Sequence, residues 1–247
     1  MLAEAVAAIS LAYMGLEDIR RREVSERIYI ALLAATIAAK LVDHLLLGEP
    51  LVRGPLPAGF YIASDLVMLV SAAALAALGV YGWGDVAALL LATAASPGAP
   101  PRGVTPTIVL AMMYSAGILL AYAFTNMAVN LARHRRELAR VPPRLRLLYM
   151  IAARPVPARE LAERPGWRYP LSLCGKYRVR FNIYLDPPDI AREVRRAIEK
   201  GCVKPDDPVW VARGHPGIAL IAAGYAASIL LPDPLYQVAR AAQSTGG

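Results

Sequence analysis

Two arginine-rich stretches interrupt an otherwise apolar chain, and their placement constrains the fold more than any other feature. Of the 27 lysines and arginines, four lie in 18–27 and nineteen in 133–213, leaving only Lys40, Arg53, Arg102 and Arg240 elsewhere. Around them run six apolar segments, at about 2–17, 28–47, 60–80, 85–97, 104–132 and 215–231. A hydrocarbon core of roughly 30 Å needs about 20 helical residues, so these read as six transmembrane helices. The fourth, from Asp85 to Pro97, has 13 residues and reaches only roughly 20 Å. An apolar content of 57% exceeds the roughly 45–50% of soluble chains and excludes disordered and fibrous classes. The net charge of +8 would suggest nucleic acid in a soluble protein. Confined to loops between apolar runs, it reads instead as topology, and no nucleic-acid partner is expected.

Lys and Arg resist translocation, so Arg20, Arg21 and Arg22 place 18–27 in the cytosol and the N-terminus outside. Alternation then puts 48–59 and 98–103 outside, 81–84 and 133–214 inside, and the tail 232–247 outside. The first segment is not expected to be a secretory signal, because it lacks a basic start and carries Glu4. The chain thus divides into helices one to five over 1–132, a cytosolic insert over 133–214, helix six over 215–231 and an external tail.

Within the insert, Lys176–Leu185 alternates Val179, Phe181, Ile183 and Leu185 with Arg178, Arg180 and Asn182, the period of a half-buried strand. Residues 188–200 read as a helix: Ile190, Val194, Ala197 and Ile198 share a face and Gly201 stops it. Further strands are expected at 147–152 and 209–212, making a small α+β insert. Cys174 and Cys202 have no metal spacing and no disulfide framework, so two free cytosolic thiols are expected. With three histidines in the chain, His134 and His215 near the inner surface do not suggest a metal site.

Ionisable groups at membrane depth are costly and therefore informative. Lys40 and Asp43 are one turn apart and are expected to pair with each other. Asp65 is expected to make a polar contact between helices. Asp18, ending the first helix, and Asp85, opening the fourth, fall at one cytoplasmic level although far apart in sequence. Two carboxylates so placed suit aspartyl hydrolysis, in which one ionised group takes a proton from water and the other, protonated, polarises the scissile carbonyl. Gly82 and Gly84 precede Asp85; lacking Cβ, they would let an extended substrate approach the carboxylate. Glu17, Glu23 and Glu26 near Asp18 are candidates for binding a basic peptide. Helix dipoles suggest Asp85 as the base, at a helix N-terminus, and Asp18 as the acid, at a C-terminus.

The Asp18-Ile19-Arg20-Arg21-Arg22-Glu23-Val24 run and the Gly82-Trp83-Gly84-Asp85 run together resemble the archaeal preflagellin and prepilin peptidases, the class III signal peptidases among the Gly-x-Gly-Asp membrane aspartyl proteases. The resemblance covers most of the chain, including the insert before the last helix and the Val209-Trp210-Val211 run leading to it. It implies cleavage of short basic leaders from archaellin and type IV pilin-like precursors at the cytoplasmic face of the cell membrane, with Asp18 and Asp85 as the catalytic pair and no cofactor. It departs from the bacterial relatives in having no Cys-x-x-Cys, so methyl transfer is not implied. It also lacks the Tyr-Asp motif of the intramembrane relatives, and Gly214-His215-Pro216-Gly217 is a looser version of the expected proline-rich approach to the last helix. Two other classes fit the same residues: a non-enzymatic transporter or assembly partner, and a relative that cuts within the bilayer.

Overall fold

The computed structural model describes residues 1–79, 81–100, 103–179 and 185–245. They form two compact units, 1–118 with 216–247, and 119–215. The first holds α1 (Leu2–Arg21), α2 (Glu26–Leu47), α3 (Ala58–Ala77), α4 (Trp83–Ala95) and the first part of α5 (Thr107–Arg133). In the second, the remainder of α5 is followed by α6 (Arg135–Arg140), α7 (Arg146–Ala152), β1 (Ala153–Pro157), α8 (Ala158–Glu163), β2 (Arg168–Pro170), β3 (Ser172–Leu173), β4 (Lys176–Tyr177), α9 (Pro187–Glu199) and β5 (Pro208–Arg213). The chain then returns to the first unit with α10 (Gly217–Leu230) and α11 (Pro234–Thr245).

Four stretches are long and apolar enough to cross a membrane: the helices Glu26–Leu47, Ala58–Ala77 and Thr107–Arg133, and Gly217–Ala242, which holds α10 and most of α11. This mostly helical architecture with a small sheet is compatible with a helical membrane protein. α4 has the 13 residues expected of it, but its apolar run starts and stops two residues earlier. α1 has 20 residues, but Glu4 near its start and Glu17, Asp18, Arg20 and Arg21 near its end make it less apolar than those four. It stops where Arg22 turns into the left-handed region at φ 59° and returns its N–H to the Asp18 carbonyl.

The first unit is packed with small residues. Ala3, Ala7, Ala39, Ala72, Ala88, Ala92, Ala95 and Ala111 are buried, together with Leu11, Met14, Leu89 and Tyr225. Helices meet closely where their facing side chains are small, as in membrane bundles. α1 packs on α2, α4 and α10, and α4 also packs on α2, α3 and α10. Larger side chains point outward: Leu66, Val67 and Val70 of α3 are 60%, 63% and 59% exposed.

Two polar expectations inside this unit are corrected. Asp43 does not hold Lys40. It caps the start of α1, accepting the Leu2 and Ala3 amides at 3.1 and 2.9 Å and the Met1 amino group at 2.9 Å. Lys40 instead donates to the Pro50 carbonyl at 3.4 Å. Free amides at a helix start attract a carboxylate more strongly than a local i,i+3 pairing does. Asp65 is buried, but among the described residues its Oδ1 has no hydrogen-bond partner, so the expected interhelical bond from that atom is not found there.

The second unit is built as soluble domains are. β5 is the middle strand of an antiparallel sheet ordered β1-β5-β2, with Pro155 opposite Trp210 and Tyr169 opposite Ala212. α8 and α9 cover it, burying Leu161, Ile190 and Val194 against Val209 and Val211. The helix expected over 188–200 runs Pro187–Glu199, and the strand at 209–212 is β5. Of the strand expected over 176–185, only Lys176–Tyr177 is a strand, paired with β3; residues 180–184 lie outside the described residues. The strand expected at 147–152 is the helix α7. Asn126 and Asn130 of α5 explain it: their side-chain amides donate to the Ile151, Met150 and Ala153 carbonyls at 3.2, 2.8 and 2.8 Å, satisfying a helix end. The expected free thiols are also corrected, since Cys174 and Cys202 are bonded across 28 residues of sequence. The β3–β4 turn and the turn after α9 bring their Cα atoms to 5.1 Å, a proximity that spacing along the chain does not reveal.

Candidate active site

Three helices of the first unit converge through glycines. At Gly15 of α1, an added Cβ would stand 2.9 Å from the Ala219 Cα of α10. At Gly84 of α4 it would stand 3.0 Å from Ile218 Cδ1. At Gly217, the first residue of α10, it would collide with the carboxylate of Asp85. At Gly15 the neighbour is backbone, so a larger residue would push α1 from α10; at Gly84 and Gly217 it would have to displace the Ile218 and Asp85 side chains.

Asp18 and Asp85 are brought together by the start of α10. Asp18, 7% exposed in the last turn of α1, accepts the Ile218 amide on Oδ2 at 3.0 Å, and the Ala219 amide also faces it. Asp85 is half-buried in the first turn of α4 and lies directly over the Gly217 Cα. Its Oδ2 also accepts the Gly82 amide at 3.1 Å, so the carboxylate folds back over the start of its own helix. The two carboxylates lie close enough for the charge on one to bear on the other, and Arg22 acts on both. Both therefore face a helix N-terminus, Asp18 that of α10 and Asp85 that of α4. Asp18 remains at the end of α1 but also faces the start of α10, which weakens the dipole asymmetry expected from sequence.

The remaining expected site residues divide. Gly82 is exposed, and among the described residues a side chain there would meet nothing closer than Asp85 Oδ2 at 3.5 Å. At Gly84 the space left by the missing Cβ is filled by Ile218. Glu17 and Glu23 come together in a depression of about 220 Å³ at the α1–α2 turn, with Arg21, Val24, Ser25 and Ile28. Glu17 is partly committed there, with Arg21 Nε at 3.4 Å. Glu26 opens α2 outside that lining. No group of three His, Cys, Asp or Glu side chains able to hold a metal occurs among the described residues. His215 packs edge-on against Tyr122, with ring centroids 4.5 Å apart.

Sequence reasoning missed Gly217 and Ile218. The Gly214–Gly217 run marked the approach to a helix, but nothing local showed that this helix would join the two aspartates. No family model matches this chain, and no curated protein matches it either.

Proposed function

We propose that this protein is a membrane-embedded aspartyl endopeptidase that removes short basic leaders from archaellin- and type IV pilin-like precursors at the cytoplasmic face of the cell membrane. The observation that carries the reading is the meeting of Asp18 and Asp85, from distant parts of the sequence, at the first residues of α10. The fold behind it is six transmembrane helices, α1 to α5 and α10, with both ends of the chain outside and the 133–214 insert in the cytosol.

In the reaction, the ionised carboxylate of the pair takes a proton from water as the water oxygen attacks the scissile carbonyl carbon. The protonated partner donates to the carbonyl oxygen. Collapse of the tetrahedral intermediate breaks the C–N bond, and the leaving amine takes a proton from the dyad, with no covalent enzyme intermediate. Two neighbouring like charges share one proton as a unit, so the pair rather than either residue defines the working state. Lacking Cβ, Gly82 lets an extended substrate approach Asp85, and Glu17 and Glu23 supply negative charge for a basic leader.

One observation favours a second reading. Each carboxylate already satisfies backbone amides, Ile218 for Asp18 and Gly82 for Asp85, as purely structural caps would in a transporter or assembly partner. The deciding experiment incubates the purified, detergent-solubilised protein with an archaellin or pilin precursor and reads the product N-terminus by mass spectrometry. Cleavage just ahead of the apolar stretch, lost in Asp85→Asn, supports the peptidase. Cleavage inside the apolar stretch means an intramembrane protease, and no cleavage of several precursors by a folded, monodisperse sample overturns the enzymatic reading.

A further inference from the structure

The helix that follows α10 is used by neither reading. α10 has 14 residues and reaches roughly 21 Å, short of the roughly 30 Å hydrocarbon core. Residues 217–242 are apolar enough to continue across, but the helix breaks at 231–233. The break is built around Asp233, which is 1% exposed. Its Oδ1 accepts the Leu235 and Tyr236 amides at 2.9 and 3.2 Å, capping the start of α11. Its Oδ2 accepts the Val104 and Thr105 amides, both at 3.0 Å.

Those contacts fix where α11 begins. Thr105 lies two residues before α5 starts, and the Val104 carbonyl accepts the hydroxyl of Tyr61, in the first turn of α3, at 3.1 Å. The start of α11 is therefore tied to the end of the bundle where α3 and α5, both able to span, begin. Such an end is a membrane–water boundary. α11 itself is two-faced: Leu235, Val238 and Ala242 follow i, i+3, i+7 spacing, with Gln237 and Arg240 on the opposite side. Leu235 and Val238 are 52% and 68% exposed.

We propose that α11 is an interfacial helix, lying in the headgroup–acyl boundary with Leu235 and Val238 toward lipid and Gln237 and Arg240 toward water. An amphipathic helix pinned by its cap at the level where spans begin, with its apolar stripe uncovered, meets lipid at that level. The inference needs α3 and α5 to span a membrane and is independent of the peptidase reading.

The test uses the full chain in vesicles of phosphatidylcholine and phosphatidylglycerol. The native cysteines are bonded to each other, so one added cysteine at a time, Leu235→Cys, Gln237→Cys, Val238→Cys or Arg240→Cys, takes a nitroxide label. Oxygen should outweigh a water-soluble nickel chelate in relaxing the label at 235 and 238, and the order should reverse at 237 and 240. Nickel dominating at all four positions would overturn the proposal in favour of a helix in water. Oxygen dominating at all four, with depth increasing along the helix, would overturn it in favour of a continued span. Spin–spin broadening at 235 and 238 would overturn it in favour of a second copy covering the stripe. As a second measurement, Asp233→Ala should erase the 235/238 against 237/240 alternation and speed hydrogen exchange at Val104 and Thr105; an unchanged alternation would overturn the role given to the cap.

Discussion

In the helical unit eight of the thirteen buried apolar side chains of α1, α2, α3 and α4 are alanines, while many leucines, isoleucines and valines look outward. In the second unit, Trp210, Tyr149, Leu161, Ile190 and Val194 are inside and arginines are outside. The contrast is compatible with a chain that meets two solvents, lipid around the first unit and water around the second. Burial from water rewards bulk in the second unit, whereas contact with lipid offers large apolar side chains no penalty outside, so helix contacts in the first unit rely on close approach of small residues. In the first unit the buried carboxylates Asp18, Asp43 and Asp233 each accept amides at a helix start.

The sharpest way to break this comparison is at the carboxylates themselves. Asp18→Asn and Asp85→Asn should each lower precursor cleavage by at least about 10³-fold while leaving thermal unfolding of the detergent-solubilised protein nearly unchanged. Asp→Glu at either position should be almost as damaging, because the dyad depends on position. Retained cleavage in both Glu variants would mark the carboxylates as structural caps. Gly217→Ala, which drives a methyl into Asp85, should cost roughly 10²-fold, the order expected for a displacement of about 1 Å.

Next come the two kinds of interior. Trp210→Ala in the sheet should destabilise the second unit by about 3–5 kcal/mol, measured by denaturant unfolding or by exchange of β5 amides. Leu66→Ala, on the outer face of α3, should change stability by no more than about 0.5 kcal/mol in detergent, as surface changes usually do. Equal costs would mean that α3 packs against protein rather than lipid. Cys174→Ser should lower the second unit's stability by about 2–4 kcal/mol by releasing the closed loop. Non-reducing mass spectrometry of the unmodified protein should show the Cys174–Cys202 bond directly.

How legible each unit was follows from the same contrast. Apolar runs report α2, α3, α4 and α5 because lipid-facing helices show their character residue by residue, and the Ile190, Val194, Ala197 periodicity reports α9 for a similar reason. α7 was not legible: Leu147–Ala152 carries no strong period, and its helical form depends on Asn126 and Asn130 from another element. Both aspartates stood out locally, as charges at the ends of apolar segments. Their meeting point did not, because it depends on Gly217 having no side chain and on the Ile218 amide, neither of which carries a chemical signature in sequence. Asp43 and the cysteine pair failed to show for the same reason, since their partners are set by tertiary approach.

A pH-dependent effect belongs to the second unit. The Tyr149 hydroxyl donates to the Leu171 and Arg178 carbonyls at 2.8 and 3.0 Å and accepts the Arg178 amide at 3.1 Å, joining α7 to the strands β3 and β4. Burial pushes this phenol from its ordinary 10.0 up to about 12, because its anion would lose water, and the opposing pull of the Arg178 amide does not offset that loss. Below about pH 10 the hydroxyl is protonated in both folded and unfolded chains, and its contribution to stability is whole. Between about pH 10 and pH 12 the unfolded chain releases the proton first, so stability falls as pH rises, by up to about 1.4 kcal/mol per pH unit. Tyr149→Phe should cost about 1–2 kcal/mol at neutral pH and should remove this tyrosine's share of the alkaline decline. Denaturant unfolding followed from pH 7 to pH 12 would show it, and an identical decline in both proteins would mean that other groups titrate in that window and that Tyr149 does not hold the two elements together.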